Sequence, residues 1–169
     1  ASRNNGIAAA RGELILPLDG DDQLSFDFLE RTVAEFVRDP GLGVVFTEVV
    51  FYGAKNKVWA RDDVRLPDLY CHNFLTVTSL FKKELWSTAG GFDPGLGGYE
   101  DWDFWITLAR RGSRFKRIPA PLFLYRHRTT SRNYRANQSD VTLKLAIMRK
   151  HPEVYRIPAN VEMGLLEQR

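Results

Sequence analysis

Short apolar runs alternate with amphipathic stretches along the chain, and the first run ends in unusual company. Leu14-Ile15-Leu16-Pro17-Leu18 leads directly into Asp19-Gly20-Asp21-Asp22, three carboxylates within four residues. An apolar run of this length bounded by a turn signal predicts a buried strand of an α/β sheet. The acids then lie at its carboxyl end, where such folds bind ligands. Pro17 lacks a ladder donor and predicts irregularity just before the acids. If the extended backbone continues, the period of two puts Asp19 and Asp21 on one face, with Gly20 between them leaving the backbone open to approach. Two hard oxygen donors so placed suit a Mg²⁺ or Mn²⁺ ion carrying a diphosphate; the plainer alternative is an acidic turn after a strand.

The other periodicities supply the frame. Small residues over 3–11 predict a short helix, with Gly12 as a cap candidate. Ser25 is placed to cap a helix over 26–38, whose apolar positions Phe28, Leu29, Val33, Phe36 and Val37 follow the 3.6 period until Asp39-Pro40-Gly41 stops it. Residues 43–52 are β-branched and aromatic and predict a strand; 58–60 predict a weaker one, joined through a hairpin turn at 53–57. Residues 61–73 show no period and read as a loop, with His72 a surface residue rather than a ligand. A strand over 76–81 and a helix over 83–89 follow. Beyond the next motif come two short strands, 114–118 and 121–125, separated by Pro119-Ala120-Pro121, and an amphipathic helix over 139–150 that ends before Pro152.

That next motif is Gly90-Gly91-Phe92-Asp93-Pro94-Gly95-Leu96-Gly97-Gly98-Tyr99-Glu100-Asp101-Trp102-Asp103-Phe104-Trp105. It is turn-forming up to Glu100, after which Trp102, Trp105, Ile106 and Ala109 recur at helical spacing. The acids thus open a helix, where free backbone N–H groups and the dipole favour the ionised form. Simple capping is the structural reading of these acids. Trp102 and Trp105 read first as core and second as a sugar-stacking surface; Asp103 points away from its neighbours once the helix has begun.

Residues 2–22, from Ser2-Arg3-Asn4-Asn5-Gly6 through Gly12-Glu13 to the acids, resemble the segment of family 2 glycosyltransferases that reads Ala-Arg-Asn-x-Gly, short helix, Gly-Glu, strand, Asp-x-Asp. Gly-Gly-Phe-Asp followed by Glu-Asp-x-Asp-Phe-Trp resembles the acceptor-side motif of the same family. The resemblance extends over residues 2–131 and implies a partial GT-A fold, an α/β mixed sheet flanked by helices, whose nucleotide-binding amino-terminal strands fall outside this chain. On that expectation residues 1–151 are a partial catalytic domain, 152–169 a tail or linker, and the chain a fragment of something longer. The implied roles are Asp21 and Asp19 as metal ligands, Asp101 as general base with Glu100 as runner-up, and Mn²⁺ or Mg²⁺ as cofactor. The implied reaction moves a sugar with inversion from a nucleotide-diphosphate donor to a saccharide or lipid-linked acceptor, as in cell-envelope polysaccharide synthesis. Tyr125-Arg126-His127-Arg128 resembles the family's Tyr-Arg-x-His segment, with the histidine one place early; Arg126 and either His127 or Arg128 are implied to approach the diphosphate.

Charge adds one element. The net charge is only +3, yet residues 110–135 hold nine Lys or Arg and no Asp or Glu. A one-sided stretch like this suits phosphate first and an anionic membrane surface, as a peripheral contact, second; no nucleic-acid motif accompanies it. At 169 residues with 44% hydrophobic content the chain supports one packed domain. It has no apolar run of membrane-spanning length, and its single cysteine, Cys71, forms no internal disulfide, which suits a reducing cytoplasm. Two rival readings stand beside the transferase. Leu18-Asp19-Gly20-Asp21 also looks like the nucleophile loop of a haloacid-dehalogenase-like phosphatase. A non-catalytic module that binds a sugar or a partner, and self-associates to cover open strand edges, is the other.

Overall fold

The computed structural model describes residues 2–127 and 140–155. In chain order its elements are α1 (Ser2–Ala9), β1 (Leu14–Ile15), β2 (Gln23–Leu24), α2 (Phe28–Arg38), β3 (Leu42–Gly53), β4 (Lys57–Trp59), α3 (Leu66–Cys71), β5 (Leu80–Lys82), α4 (Lys83–Ala89), α5 (Glu100–Arg110), β6 (Arg114–His127) and α6 (Asp140–Lys150). The strands form one mixed sheet in the order β1-β5-β3-β6-β2, with β4 folded back on β3 as a hairpin. β3 lies at its centre, parallel to β6 and antiparallel to β5.

β3 is apolar along most of its length because both its faces are covered. Val44 and Phe46 point into one buried cluster, with α5, Leu69 and Ile147 of α6. Val45 and Val49 alternate to the other, under Phe28 and Phe36 of α2. The hairpin to β4 turns through Gly53, whose φ of +94° only glycine adopts without strain.

Several elements depart from what periodicity predicts. β1 is only two residues long, since Pro17 interrupts the ladder ahead of the acids. α1 ends at Ala9, short of Gly12. α2 starts at Phe28 because the Ser25 hydroxyl donates to the Asp27 carboxylate at 2.7 Å and the Ser25 carbonyl accepts from Phe28 N at 3.1 Å, forming a turn first. Its core face is Phe28, Thr32 and Phe36, spaced by four, which leaves Leu29, Val33 and Val37 on the exposed side. The Thr32 hydroxyl is accommodated there by donating back to the Phe28 carbonyl at 2.7 Å. Residues 61–73 contain α3 rather than loop alone, and within 76–81 only the end is strand.

The two strands expected over 114–125 are one. β6 runs parallel to β3 through Pro119-Ala120-Pro121 by bulging: Ile118 lies opposite Thr47, Pro121 opposite Glu48 and Phe123 opposite Val49. Prolines that cannot donate are tolerated where the ladder is already broken.

α6 docks on α5 through a buried polar cluster. Asp103 and His151 are each 2% exposed, with His151 Nε2 2.8 Å from Asp103 Oδ1. Arg110 Nη1 lies 2.9 Å from His151 Nδ1. An arginine only donates, so Nδ1 accepts and Nε2–H donates to Asp103, the neutral tautomer. Lys150 Nζ donates to Asp103 Oδ2 at 2.6 Å and to Asp93 Oδ2 at 2.7 Å, tying α6 to the glycine-rich turn as well. Asp103→Ala strands His151 and half of the Lys150 interaction in the interior. It is expected to lower stability by about 3 kcal/mol, read as a drop in urea midpoint with the m-value unchanged.

Candidate active site

α1 and the glycine-rich turn are clasped together by one side chain. Asn4 Nδ2 donates to the Phe92 carbonyl at 2.7 Å, while its Oδ1 accepts from Phe92 N at 3.0 Å and Trp86 Nε1 at 3.1 Å. Gly91 (φ +79°) completes the fit, because a Cβ there would stand 3.0 Å from both Asn4 Oδ1 and Trp86 Nε1. Next to this clasp, Arg3 spans two acidic segments. Its Nη2 reaches both oxygens of Asp19 at 2.9 and 3.0 Å, and its Nη1 reaches Glu100 Oε1 at 2.7 Å. The acids after β1 and those opening α5 are thus joined through Arg3, and both line a cleft of about 1010 Å³.

Asp19, Asp21 and Asp22 line one wall. They sit on a turn closed by Asp22 N donating to the Asp19 carbonyl at 3.0 Å, not on a continuing strand, so a period of two is not what directs them into the cleft. The turn is held from outside by the Tyr52 hydroxyl, which donates to the Asp21 carbonyl at 2.8 Å. Asp22 Oδ1 accepts from Arg126 N at 2.8 Å, which anchors the turn to the end of β6. Burial, with Asp21 and Asp19 close by, pushes the Asp22 carboxyl up to about 6 despite that bond.

Glu100 and Asp101 line the cleft at the first turn of α5, behind Tyr99, a non-glycine residue at φ +58°. Asp101 Oδ1 accepts from Trp102 N at 2.8 Å and from Asn73 Nδ2 at 3.3 Å. Burial first and Glu100 second push the Asp101 carboxyl up to about 6, against the Trp102 N–H and the Arg3 charge. Arg126 and His127 border the cleft at the end of β6, His127 with its ring edge-on to Phe51 and its Nδ1 buried without a partner. Arg128 lies outside the described residues. His72 is exposed and lines the cleft.

Trp102 and Trp105 are core residues, 3% and 0% exposed, so neither offers a face to a sugar. The aromatic wall is instead Phe51 stacked on Trp59, with centroids 5.8 Å apart, both lining the cleft. The two short β-hairpin positions carry no signal that separates them from ordinary strand aromatics. Nothing in the sequence marks Asn73, and Arg3 and Asn4 lie in a motif that marks the segment but not its bonds.

Among the described residues no group of three or more His, Cys, Asp or Glu side chains converges as a metal cage. Asp19 and Asp21 offer hard oxygens on one turn, the donor type of a Mg²⁺ or Mn²⁺ ion that takes its other ligands from phosphate and water.

The profile of Glycosyl transferase family 2 matches residues 1–96. The chain belongs to that family. It is 29% identical over 136 residues to the Bacillus subtilis protein described as uncharacterized glycosyltransferase YwdF, covering 74% of this chain and 49% of that protein. It is 26% identical over 127 residues to Escherichia coli chondroitin synthase, covering 70% of this chain and 18% of that one. The chain therefore spans about half, or less, of the length of these relatives. S. aureus TarS, solved with UDP-GlcNAc, superposes with a TM-score of 0.70 at 16% identity over 97% of this chain and 49% of that structure. The mixed sheet and its helices are accordingly part of a GT-A fold. The family membership favours the transferase over the phosphatase reading of Asp19-Gly20-Asp21.

Arg3 is half-buried and its partners are partly exposed, so its ion pairs contribute little stability while setting the local field. Arg3→Gln is expected to cost no more than about 1 kcal/mol. It should move the Asp101 titration upward from about 6, because Arg3 is the charge holding it down. Carbon-13 NMR of the Asp101 side-chain carboxyl as a function of pH reads the shift.

Proposed function

We propose that this chain carries the metal–diphosphate and acceptor sides of an inverting glycosyltransferase site that moves a sugar from a nucleotide-diphosphate donor to an acceptor hydroxyl. The observation that carries it is the gathering of Asp19, Asp21 and Asp101 on one cleft, which Arg126 and His127 also line.

The acceptor hydroxyl oxygen attacks the anomeric carbon from the side of Asp101. As that bond forms, the bond from the anomeric carbon to the diphosphate oxygen breaks, and the diphosphate leaves with the electron pair. The acceptor's proton passes to an Asp101 carboxylate oxygen. A carboxyl raised to about 6 is a better proton acceptor than an ordinary aspartate and is still ionised near neutral pH. Glu100 is the less suitable base because Arg3 occupies one of its oxygens. Asp21, with Asp19, would hold Mn²⁺ or Mg²⁺, which when bound supplies positive charge to the departing diphosphate. Asp21 is assigned the leading part because it stands at the second acid of the Asp19-Gly20-Asp21 match to the family's Asp-x-Asp motif. Arg126 and His127 are assigned to the diphosphate oxygens, and the Phe51–Trp59 wall to the face of a sugar or base.

UDP-GlcNAc, the ligand of the TarS structure, is the first donor to try. Calorimetric titration with UDP and UDP-GlcNAc should show binding that depends on Mn²⁺ or Mg²⁺ and is lost in Asp21→Ala. Binding that ignores both the metal and the substitution would overturn the role given to Asp21. With a competent acceptor, kcat/KM should rise with pH through about 6, since the base must lose its proton to act. Asp101→Asn should lower kcat by on the order of 10²–10⁴-fold while leaving UDP affinity unchanged.

A further inference from the structure

Among the described residues, seven buried side-chain polar atoms have no hydrogen-bond partner, and three of them belong to residues that line the cleft. These are Asn73 Oδ1, Thr78 Oγ1 and His127 Nδ1; Trp105 Nε1 lies in the core. The remaining three are Nε, Nη1 and Nη2 of Arg61, the entire guanidinium. Arg61 is 5% exposed and lies in the 61–73 segment, which shows no period in the sequence.

Its surroundings explain how it is held and leave unexplained what it is for. The guanidinium lies over the Trp59 ring, 4.3 Å from the centroid, and the other face of that aromatic wall is Phe51 with Lys55 above it at 5.1 Å. Cation–π contact of this kind offsets only part of the cost of burying an unpaired ion. The acids acting on Arg61 are Asp101, on the cleft wall, and Glu48. Glu48 is already taken, since its Oε1 accepts from Arg117 Nη1 at 3.2 Å, and Arg117 Nε holds Asp63, two residues from Arg61, at 3.1 Å. Asp101 gives its Oδ1 to Trp102 N and Asn73. A planar fork of donors is thus kept dry and unmatched just behind the Trp59 ring, within electrostatic reach of the carboxylate that receives the acceptor's proton.

We propose that Arg61 is the recognition group for a fixed negative charge, a carboxylate or a phosphate, on the saccharide acceptor. This deepens the transferase reading and rests on it. The acceptor's anionic group enters past Trp59 and takes the guanidinium in a bidentate pair, the geometry for which an arginine fork is suited. The same acceptor then presents a hydroxyl to Asp101, with the Asn73 amide and Thr78 hydroxyl available to its neighbouring polar groups. A neutral acceptor leaves the guanidinium unmatched and is disfavoured for that reason.

The test compares matched probes on the full chain: methyl β-glucuronide against methyl β-glucoside, and glycerol 1-phosphate against glycerol. Each is titrated in the presence of UDP and Mn²⁺ into the wild type, Arg61→Gln and Arg61→Lys. One charged probe should bind about 10- to 100-fold more tightly than its neutral counterpart, the size of a hydrogen-bonded charge pair. The preference should vanish in Arg61→Gln and survive in part in Arg61→Lys, and whichever pair shows it identifies carboxylate or phosphate. Equal binding of charged and neutral probes by the wild type, no measurable binding of either pair, or a preference retained in Arg61→Gln overturns the proposal. UDP affinity, read in the same samples, is expected to be unchanged by both substitutions. Absence of UDP binding in the wild type would count against the donor assignment alone, and the charged-to-neutral comparison would still decide the role of Arg61. A melting curve separates recognition from scaffolding: Arg61→Met removes an unmatched buried charge and is expected to raise Tm, whereas a structural arginine would lower it.

Discussion

The guanidinium of Arg3 joins segments that are distant in sequence, gripping both oxygens of Asp19 and one of Glu100, and so sets the field between the two acidic segments of the cleft. Without a cation between them, two carboxylate-bearing segments would repel across a half-buried gap. The bridge is itself aimed by its neighbour in sequence. Asn4 fixes α1 to the backbone of Phe92 with a donor and an acceptor, and Lys150 reaches from α6 to hold Asp93 just beyond. The glycine-rich turn is thereby clamped from two directions, and the helix that follows it enters with Glu100 and Asp101 on the same cleft as the acids after β1.

Electrostatics in the cleft are dominated by crowding of like charge. Asp19, Asp21, Asp22, Glu100 and Asp101 all line it, and burial beside one another raises both Asp22 and Asp101 to about 6. A bare diphosphate would meet this field unfavourably except near the cations that also line the cleft, Arg3, Lys55, Arg126 and Lys144. The wall after β1 therefore suits a phosphate only in company with positive charge, and the acids opening α5 suit a neutral hydroxyl that has a proton to give up. The two halves of the proposed chemistry follow from this division. Asp22 contributes less as a ligand than as a tie, since its carboxylate is committed to the backbone of Arg126.

Much of this arrangement was legible in the sequence, for identifiable reasons. Residues 83–89 and the helix opening at Glu100 are marked by periodicity and by glycine punctuation, and both fall where expected. The apolar β3 run is unambiguous because a doubly covered strand has no polar face to confuse it. The sequence misled where a local hydrogen bond overrides periodicity. Ser25 and Asp27 delay α2 by two residues, and that helix buries Thr32 while exposing Leu29 and Val37. The Pro119-Ala120-Pro121 interruption resembles a break between strands, yet the parallel partner β3 absorbs it as a bulge. At the site, carboxylates announce themselves by clustering, whereas Arg61, Asn73 and the Phe51–Trp59 wall come together only in three dimensions. Nothing in an isolated arginine within an aperiodic segment tells that it will be buried.

The contrast between the core and the cleft explains why those residues carry function. In the interior several polar side chains are matched, although Trp105 Nε1 is not: Thr32 returns its proton to a helix carbonyl, and Asp103 is satisfied by His151 and Lys150 from a separate helix. Asn73, Thr78 and His127 on the cleft, and the whole of Arg61 behind the cleft-lining Trp59, hold buried polar atoms with no partner, and Tyr99 adopts a left-handed backbone next to the proposed base. A folding domain gains nothing from such features, since each unmatched donor or strained residue costs on the order of 1–3 kcal/mol. Their gathering on and just behind one cleft is the mark of groups preorganised for a ligand, whose hydrogen bonds complete what the fold leaves open.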